Sequence, residues 1–357
     1  MSGEPRTLLI RADADEGRGA GHVMRSLALA CAWRSQGGSV DFLSSRPLLY
    51  FRQKIQEAGV NLIQIDHHYP DQEDLHTTIR NVDKVAREGQ QRPWIVIDGY
   101  HFDTEYQAAL RAASARVLVV DDTAHLVFYD ADCILNHGLQ APQLEYRCAP
   151  DCIRLFGPKY ALLRPEFISA AKPGTATTPI AKRILVTMGG SDSDNVTEKV
   201  VEALKLLDSP FEARVIAGFM YPHISSLRRA TAAFGDRIAV ETAVYDLAES
   251  MLWADIALNA AGGTCWELAA LGVPMITLIA AENQKLIGAE LEKAGAAVCL
   301  GWHRNVSTAD IAKSIDQLVR APFRREQMKR RGKTLVDGAG AQRVVDVLNK
   351  QFNTNAA

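Results

Sequence analysis

A histidine that follows three glycines, each separated by one residue, is the first arrangement in this chain able to do chemistry. In "GRGAGHVMRSLALA", residues 17–30, Gly17, Gly19 and Gly21 carry no side chains, so the turn can pass close to a ligand. His22 then stands at the first turn of the helix that follows. The helix dipole disfavours an imidazolium there, and a neutral imidazole is a usable general base. An isolated histidine at a helix start more often caps or packs; the glycine approach and the strand-end location argue here for the base. The turn fits neither G-x-G-x-x-G nor G-x-x-x-x-G-K-[ST], so dinucleotide binding is poorly supported.

A second arrangement lies in "IALNAAGGTCWELAALGVPMITLIAAENQ". Gly262 and Gly263 make a tight turn, Thr264 can cap a helix, and Glu267 stands three residues on, as in a capping box. A Gly-Gly turn feeding a helix N-terminus is also a phosphate seat, and a carboxylate one turn inside can accept two hydroxyls of a ribose. Asn283 and Gln284 lie on the next junction loop. In "ILVTMGGSDSDN", Gly189, Gly190 and Ser191 offer backbone amides to phosphate oxygens, and Asp192 and Asp194 form a D-x-D. The same spacing recurs at Asp13/Asp15 and Asp130/Asp132, where capping and turns explain it. No metal and no cofactor are therefore expected. His67, His68 and His76 read as a solvated loop, and Cys148 and Cys152 as packed thiols.

The elements that must position these residues are short apolar strands alternating with helical patterns. "TLLIRA", "SVDFLS", "NLIQI", "WIVIDGY", "RVLVVDD" and "CILN" fill the first half; "RILVTMGG", "EARVIAG", "IAVET", "IALNAAG", "VPMITLI" and "AAVCL" fill the second. Strands with little polar alternation suit parallel sheets covered on both faces. The rhythm predicts an α/β fold of two Rossmann-like doubly wound domains facing a cleft. Residues 1–168 would form the first domain, 169–181 a linker and 182–357 the second, leaving open a return of the last helix to the first domain. Ligands bind beyond the carboxyl ends of such strands.

With 357 residues, 47% hydrophobic and 23% charged, the chain has globular composition, and a formal charge of −2 gives no general reason to expect nucleic acid as partner. No segment approaches the roughly 18 uninterrupted apolar residues of a membrane helix, and the start reads as neither signal nor anchor. With six scattered cysteines, a reducing, cytoplasmic setting is expected. Oligomeric state is not legible.

Together, "GAGHVMRSLALA", "VIDGYHFD", "MGGSD" and "AAGGTCWELAALGVPMI...ENQ" resemble the UDP-2,4-diacetamido-2,4,6-trideoxy-β-L-altropyranose hydrolase family of pseudaminic acid biosynthesis, relatives of GT-B glycosyltransferases. The resemblance spans both halves in order. It implies that His22 is the catalytic base and that Gly19, Gly21, Arg25, Asp98, Tyr100, Asn283 and Gln284 contact the substrate. It assigns Gly189, Gly190, Ser191, Asp192, Gly262, Gly263, Thr264 and Glu267 to the nucleotide. The implied reaction is metal-independent attack of water at the anomeric carbon, with inversion, releasing UDP and a free hexose. Ser26 departs from the cysteine frequent in relatives. A glycosyltransferase using a UDP-sugar donor, or a non-catalytic nucleotide-sugar binder, would share most of these residues.

Overall fold

Parallel strands need crossovers to join them, and this chain provides crossover helices twice over. The computed structural model describes residues 6–14, 20–45, 47–89, 92–171, 176–242 and 247–354. It divides into two units, residues 1–164 with 339–357, and residues 165–338.

In the first unit the order is β1 (Thr7–Ala12), α1 (Gly21–Ser35), β2 (Ser39–Ser45), α2 (Leu49–Glu57), β3 (Asn61–Ile65), α3 (Gln72–Arg87), β4 (Trp94–Asp98), α4 (Thr104–Ala112), β5 (Arg116–Val120), β6 (Cys133–Asn136) and β7 (Ile153–Phe156). Its seven strands are all parallel, in the order β3-β2-β1-β4-β5-β6-β7. Strand order reverses between β1 and β4. A crevice forms at such a point because the crossovers on either side leave over opposite faces of the sheet.

The second unit runs α5 (Pro165–Ala170), β8 (Arg183–Thr187), α6 (Val196–Leu204), β9 (Glu212–Ala217), α7 (Ile224–Thr231), β10 (Ile238–Thr242), α8 (Leu247–Trp253), β11 (Ile256–Ala260), α9 (Thr264–Leu271), β12 (Met275–Ile279), α10 (Lys285–Lys293), β13 (Ala297–Trp302), α11 (Thr308–Val319) and α12 (Pro322–Leu335). Its six parallel strands are ordered β10-β9-β8-β11-β12-β13, with the reversal between β8 and β11. The doubly wound α/β class read from the sequence is therefore borne out in both units. The strand β7 was not foreseen: "IRLF" is four residues long and carries an exposed Arg154.

The chain leaves the first unit at Arg164, earlier than the Pro- and Gly-containing stretch suggests, because α5 packs on α8 and α9 of the second unit. It returns at Ala339. The last helix, α13 (Gly340–Thr354), lies against α1, with Val344, Val345 and Leu348 fully buried. Trp94 Nε1 donates to the Leu348 carbonyl at 3.2 Å. Helix and chain approach closely at Gly340, where a Cβ would sit 2.2 Å from the Ala161 carbonyl oxygen. Among the described residues no helix is long and apolar enough to cross a membrane. All six cysteines are unbridged; Cys31, Cys148 and Cys299 are only partly buried.

Truncating Leu348 to alanine removes a fully buried anchor of α13, and core truncations of this kind cost about 2–5 kcal/mol. A lowered urea midpoint is expected. A midpoint equal to that of the parent would show that α13 adds no stability to the first unit.

Candidate active site

The reversal point of the first sheet is where polar groups gather. Asp98 ends β4 in register with Ala12 of β1, and its side chain is fully buried. A carboxylate there must be compensated. His22 Nδ1 lies 2.6 Å from Asp98 Oδ1, Arg25 donates to both carboxylate oxygens at 2.7 and 2.6 Å, and the Ser26 hydroxyl donates at 3.1 Å. These three residues occupy one turn of α1. Burial pushes the Asp98 carboxyl up, but the Arg25 charge and His22 outweigh it and hold the acid well below the usual carboxylate range.

An ionised carboxylate can only accept hydrogen bonds, so Asp98 places the ring proton on Nδ1 and leaves Nε2 as the basic nitrogen. This is the base-and-orienter geometry of nucleophile-activating sites. His22 lies in the first turn of α1, as read from the sequence, and it is 8% exposed. Gly21 beside it has open space where a Cβ would project. Gly17 and Gly19 lie outside the described residues.

Arg25 extends the cluster to the next strand. It donates to Asp122, just beyond β5, and Tyr100 donates to the same carboxylate at 3.1 Å. The Tyr100 ring meets His22 edge-on, with centroids 5.0 Å apart. His137 Nε2, beyond β6, approaches Asp122 to 4.0 Å. Burial drives the His137 imidazole down to about 4, against the opposing pull of Asp122. His22, Arg25, Asp98 and Tyr100 are thus brought together as expected sites. Asp122, His137 and the Ser26 contact were missed; the acidic pair at the end of "RVLVVDD" was the available signal for the first.

The second unit gathers its candidates at the carboxyl ends of β8, β11 and β12, three neighbouring strands. Gly189 takes a positive φ of 92°, and Gly190 accepts from the Met220 amide at 3.1 Å. Gly218, unremarked in the sequence, fits under this turn: a Cβ there would lie 2.2 Å from the Gly190 oxygen. Asp192 accepts from the Val196 and Thr197 amides at 2.9 and 2.7 Å, so a protein carboxylate already takes the N-terminus of α6. Its partner in the D-x-D, Asp194, pairs with His303 at 2.9 Å and Arg304 at 3.0 Å.

At α9 the arrangement differs. Gly263 is the residue preceding the helix, Thr264 is already helical, and no side-chain cap is made. The capping-box reading of Thr264 and Glu267 is therefore not realised, because a capping side chain must come from the non-helical residue before the first turn. Nothing lies within 4 Å of a Cβ built on Gly263. Gln284, in a 3-10 turn after β12, accepts from the Ala280 amide at 2.9 Å and reaches to 3.6 Å of the Gly262 Cβ position. Asn283 is exposed beside it.

Residues 183–344 match the glycosyltransferase family 28 C-terminal domain. The structure of Acinetobacter baumannii MurG aligns with 97% of this chain and 100% of its own at a TM-score of 0.69 and 17% identity. That of Anabaena HepE, solved in complex with UDP-glucose, aligns with 97% and 99% at a TM-score of 0.64 and 11% identity. The fold is that of GT-B glycosyltransferases. Among curated proteins, the spore coat polysaccharide biosynthesis protein SpsG of Bacillus subtilis is 28% identical over 198 residues, 55% of this chain and 58% of that protein. The chain spans little more than half the length of the first curated relatives it matches.

His137 sets a pH dependence. An imidazole at about 4 when folded and about 6.5 when unfolded stabilises the fold fully above the unfolded value, and that contribution is lost as pH falls toward 4. About 2 kcal/mol of unfolding free energy should disappear between pH 7 and 5. Replacing His137 with glutamine should flatten this slope in urea titrations at the two pH values; an unchanged slope would assign it elsewhere.

Proposed function

We propose that this GT-B protein is an enzyme acting on a UDP-linked sugar, with the second unit binding the nucleotide and His22 serving as the general base. The observation that carries the reading is the buried Asp98 carboxylate braced against His22 Nδ1 at 2.6 Å, at the strand-order reversal of the first sheet. A nucleotide-sugar binder without chemistry has no use for an orienting carboxylate on that ring. The uncapped Gly262–Gly263 entrance to α9 supports a diphosphate seat of backbone amides. Support for UDP comes from the UDP-glucose complex of HepE, and support for sugar biosynthesis from the name of SpsG.

UDP departs as a stabilised anion, so the site needs chiefly to accept a proton from the attacking hydroxyl and to meet growing negative charge on the diphosphate. His22 Nε2 would take the proton as the oxygen attacks the anomeric carbon and the bond to UDP breaks. The glycosyltransferase-like matches favour a sugar hydroxyl of an acceptor as the attacking group. The second reading is hydrolysis of a UDP-linked 2,4-diacetamido-2,4,6-trideoxy hexose with inversion, favoured by the four co-linear motifs from "GAGHVMRS" to "ENQ".

Incubation with the nucleotide sugar alone separates the two: rapid UDP release without acceptor supports hydrolysis, and release only with an acceptor supports transfer. In either case His22→Ala should lower turnover about 10²–10⁴-fold with UDP affinity retained. Undiminished turnover would remove His22 from the mechanism.

Gly263 is in a right-handed helical conformation with open space around it, so Gly263→Val should fold. Covering the α9 amides should weaken UDP binding by about tenfold or more, the equivalent of one charge-assisted hydrogen bond. Calorimetric titration giving the parental affinity would place the diphosphate elsewhere.

A further inference from the structure

Beyond the carboxyl ends of β1, β3 and β4, three metal-ligating side chains converge that the reading above does not use. Asp13, beyond β1, is nearly fully buried, and His68 and His101 approach the same carboxylate oxygen. His68 Nδ1 stands 3.4 Å and His101 Nε2 3.3 Å from Asp13 Oδ2, and all three ligating atoms lie within 4.8 Å of one another. The two rings stack at 4.9 Å and 28°.

His101 helps hold the Asp13 carboxyl low, and the separations can be set beside two reference geometries. A charge-assisted hydrogen bond from imidazole to carboxylate draws in to about 2.7–2.9 Å. Tetrahedral ligands at the 2.0–2.1 Å of zinc are separated by about 3.3–3.4 Å, the edge of the coordination polyhedron. Both carboxylate-to-imidazole separations, 3.4 and 3.3 Å, equal that edge. The third edge closes by rotation of the His68 ring, which is about one-third exposed.

The surroundings hold these ligands in place. Arg11 donates to both Asp13 oxygens at 2.5 and 2.8 Å and is itself paired with Asp74 at 2.5 Å, so its charge is already offset. The Ser45 amide donates to Asp13 Oδ1 at 2.7 Å, which leaves Oδ2 one lone pair beyond its bond to Arg11. His101 folds back over Gly99, where a Cβ would lie 2.6 Å from the ring. The segment bearing His68 is largely exposed, as expected, but it is anchored: Tyr69 is buried and donates to Asp103 at 2.8 Å, and Asp71 caps α3. Partners that orient metal ligands in this way are typical of built sites.

We propose that Asp13 Oδ2, His68 Nδ1 and His101 Nε2 form a site for one divalent first-row transition-metal ion of the zinc class, its fourth position open to solvent beside His68. Two imidazoles with one carboxylate suit such an ion and not magnesium or calcium, which prefer oxygen ligands. The site ties the end of β1 to the connections that follow β3 and β4. It shares no residue with the His22 cluster, whose carboxylates are Asp98 and Asp122.

The test uses the untagged full-length protein, stripped with a chelator and titrated with Co²⁺ and with Zn²⁺. One Co²⁺ per chain with the intense visible absorption of a four-coordinate ion, displaced by Zn²⁺, is the expected result. His68→Ala and His101→Ala should each weaken uptake at least about tenfold. His67→Ala, an exposed residue paired with Asp71, should bind as the parent does. The His68 variant removes a partly exposed side chain, and an unchanged urea midpoint in the metal-free state will show that it folds. Absence of saturable uptake, or uptake unaffected by both variants or abolished in His67→Ala, overturns the proposal.

Discussion

The buried charge of Asp98 is the constraint on which the first unit's polar architecture depends. A carboxylate with no solvent contact is tolerated only if its lone pairs are filled by good donors. Here one helical turn provides them, through His22, Arg25 and Ser26. That requirement fixes the rotation of α1 about its axis and its height over β4. It also ties the helix to β5, because the same guanidinium that neutralises Asp98 reaches Asp122. A helix held by a buried ion network at its first turn presents the next groups, His22 and Gly21, with little freedom.

Two helix entrances of the second unit meet the anion problem differently. At α6 the protein fills the helix N-terminus with its own Asp192, which burial pushes up and the donated amides pull back. At α9 the residue before the helix is Gly263, which has no side chain to cap with, and the Cys265 and Trp266 amides return to the Gly262 and Gly263 carbonyls at 3.0 Å. The amide dipoles there remain directed at whatever binds. Gly218 beneath the first turn and Gln284 beside the second show that neighbouring strands shape both loops.

What could be read from the sequence follows from which forces are local. Hydrophobic runs and their helical intervals are local, and twelve of the strands with the doubly wound class were legible from them; β7 was too short and too polar to register. The strand-end glycines and His22 were legible because turn chemistry is local as well. Contacts across the chain were not: Arg25 meets Asp98 at a separation of 73 residues and Asp122 at 97, and no periodicity encodes such a pairing. Thr264 failed as a cap because one residue of offset decides the role, and helix starts are uncertain by that much. His67 and His76 are exposed as read, while the anchoring of the His68 segment was not legible because Tyr69 meets Asp103 and Tyr106, more than thirty residues away.

Charge accounting around His22 bears on why the arrangement suits a base. Asp98 and Asp122 are both held below the usual carboxylate range, Arg25 is held charged, and His137 is neutral near pH 7. Two negative charges against one positive charge leave the cluster one charge short of neutrality while His22 is uncharged. In the proposed role of His22, a proton would arrive at a cluster that carries net negative charge, and Coulomb energies between buried charges are large. The imidazolium is then stabilised by a carboxylate already in position, with no reorganisation needed as the proton arrives. Had the cluster been neutral beforehand, the same transfer would have created an uncompensated buried cation. Asp122 therefore bears on the proposed chemistry without touching the histidine: it shares the Arg25 charge that would otherwise offset Asp98 alone.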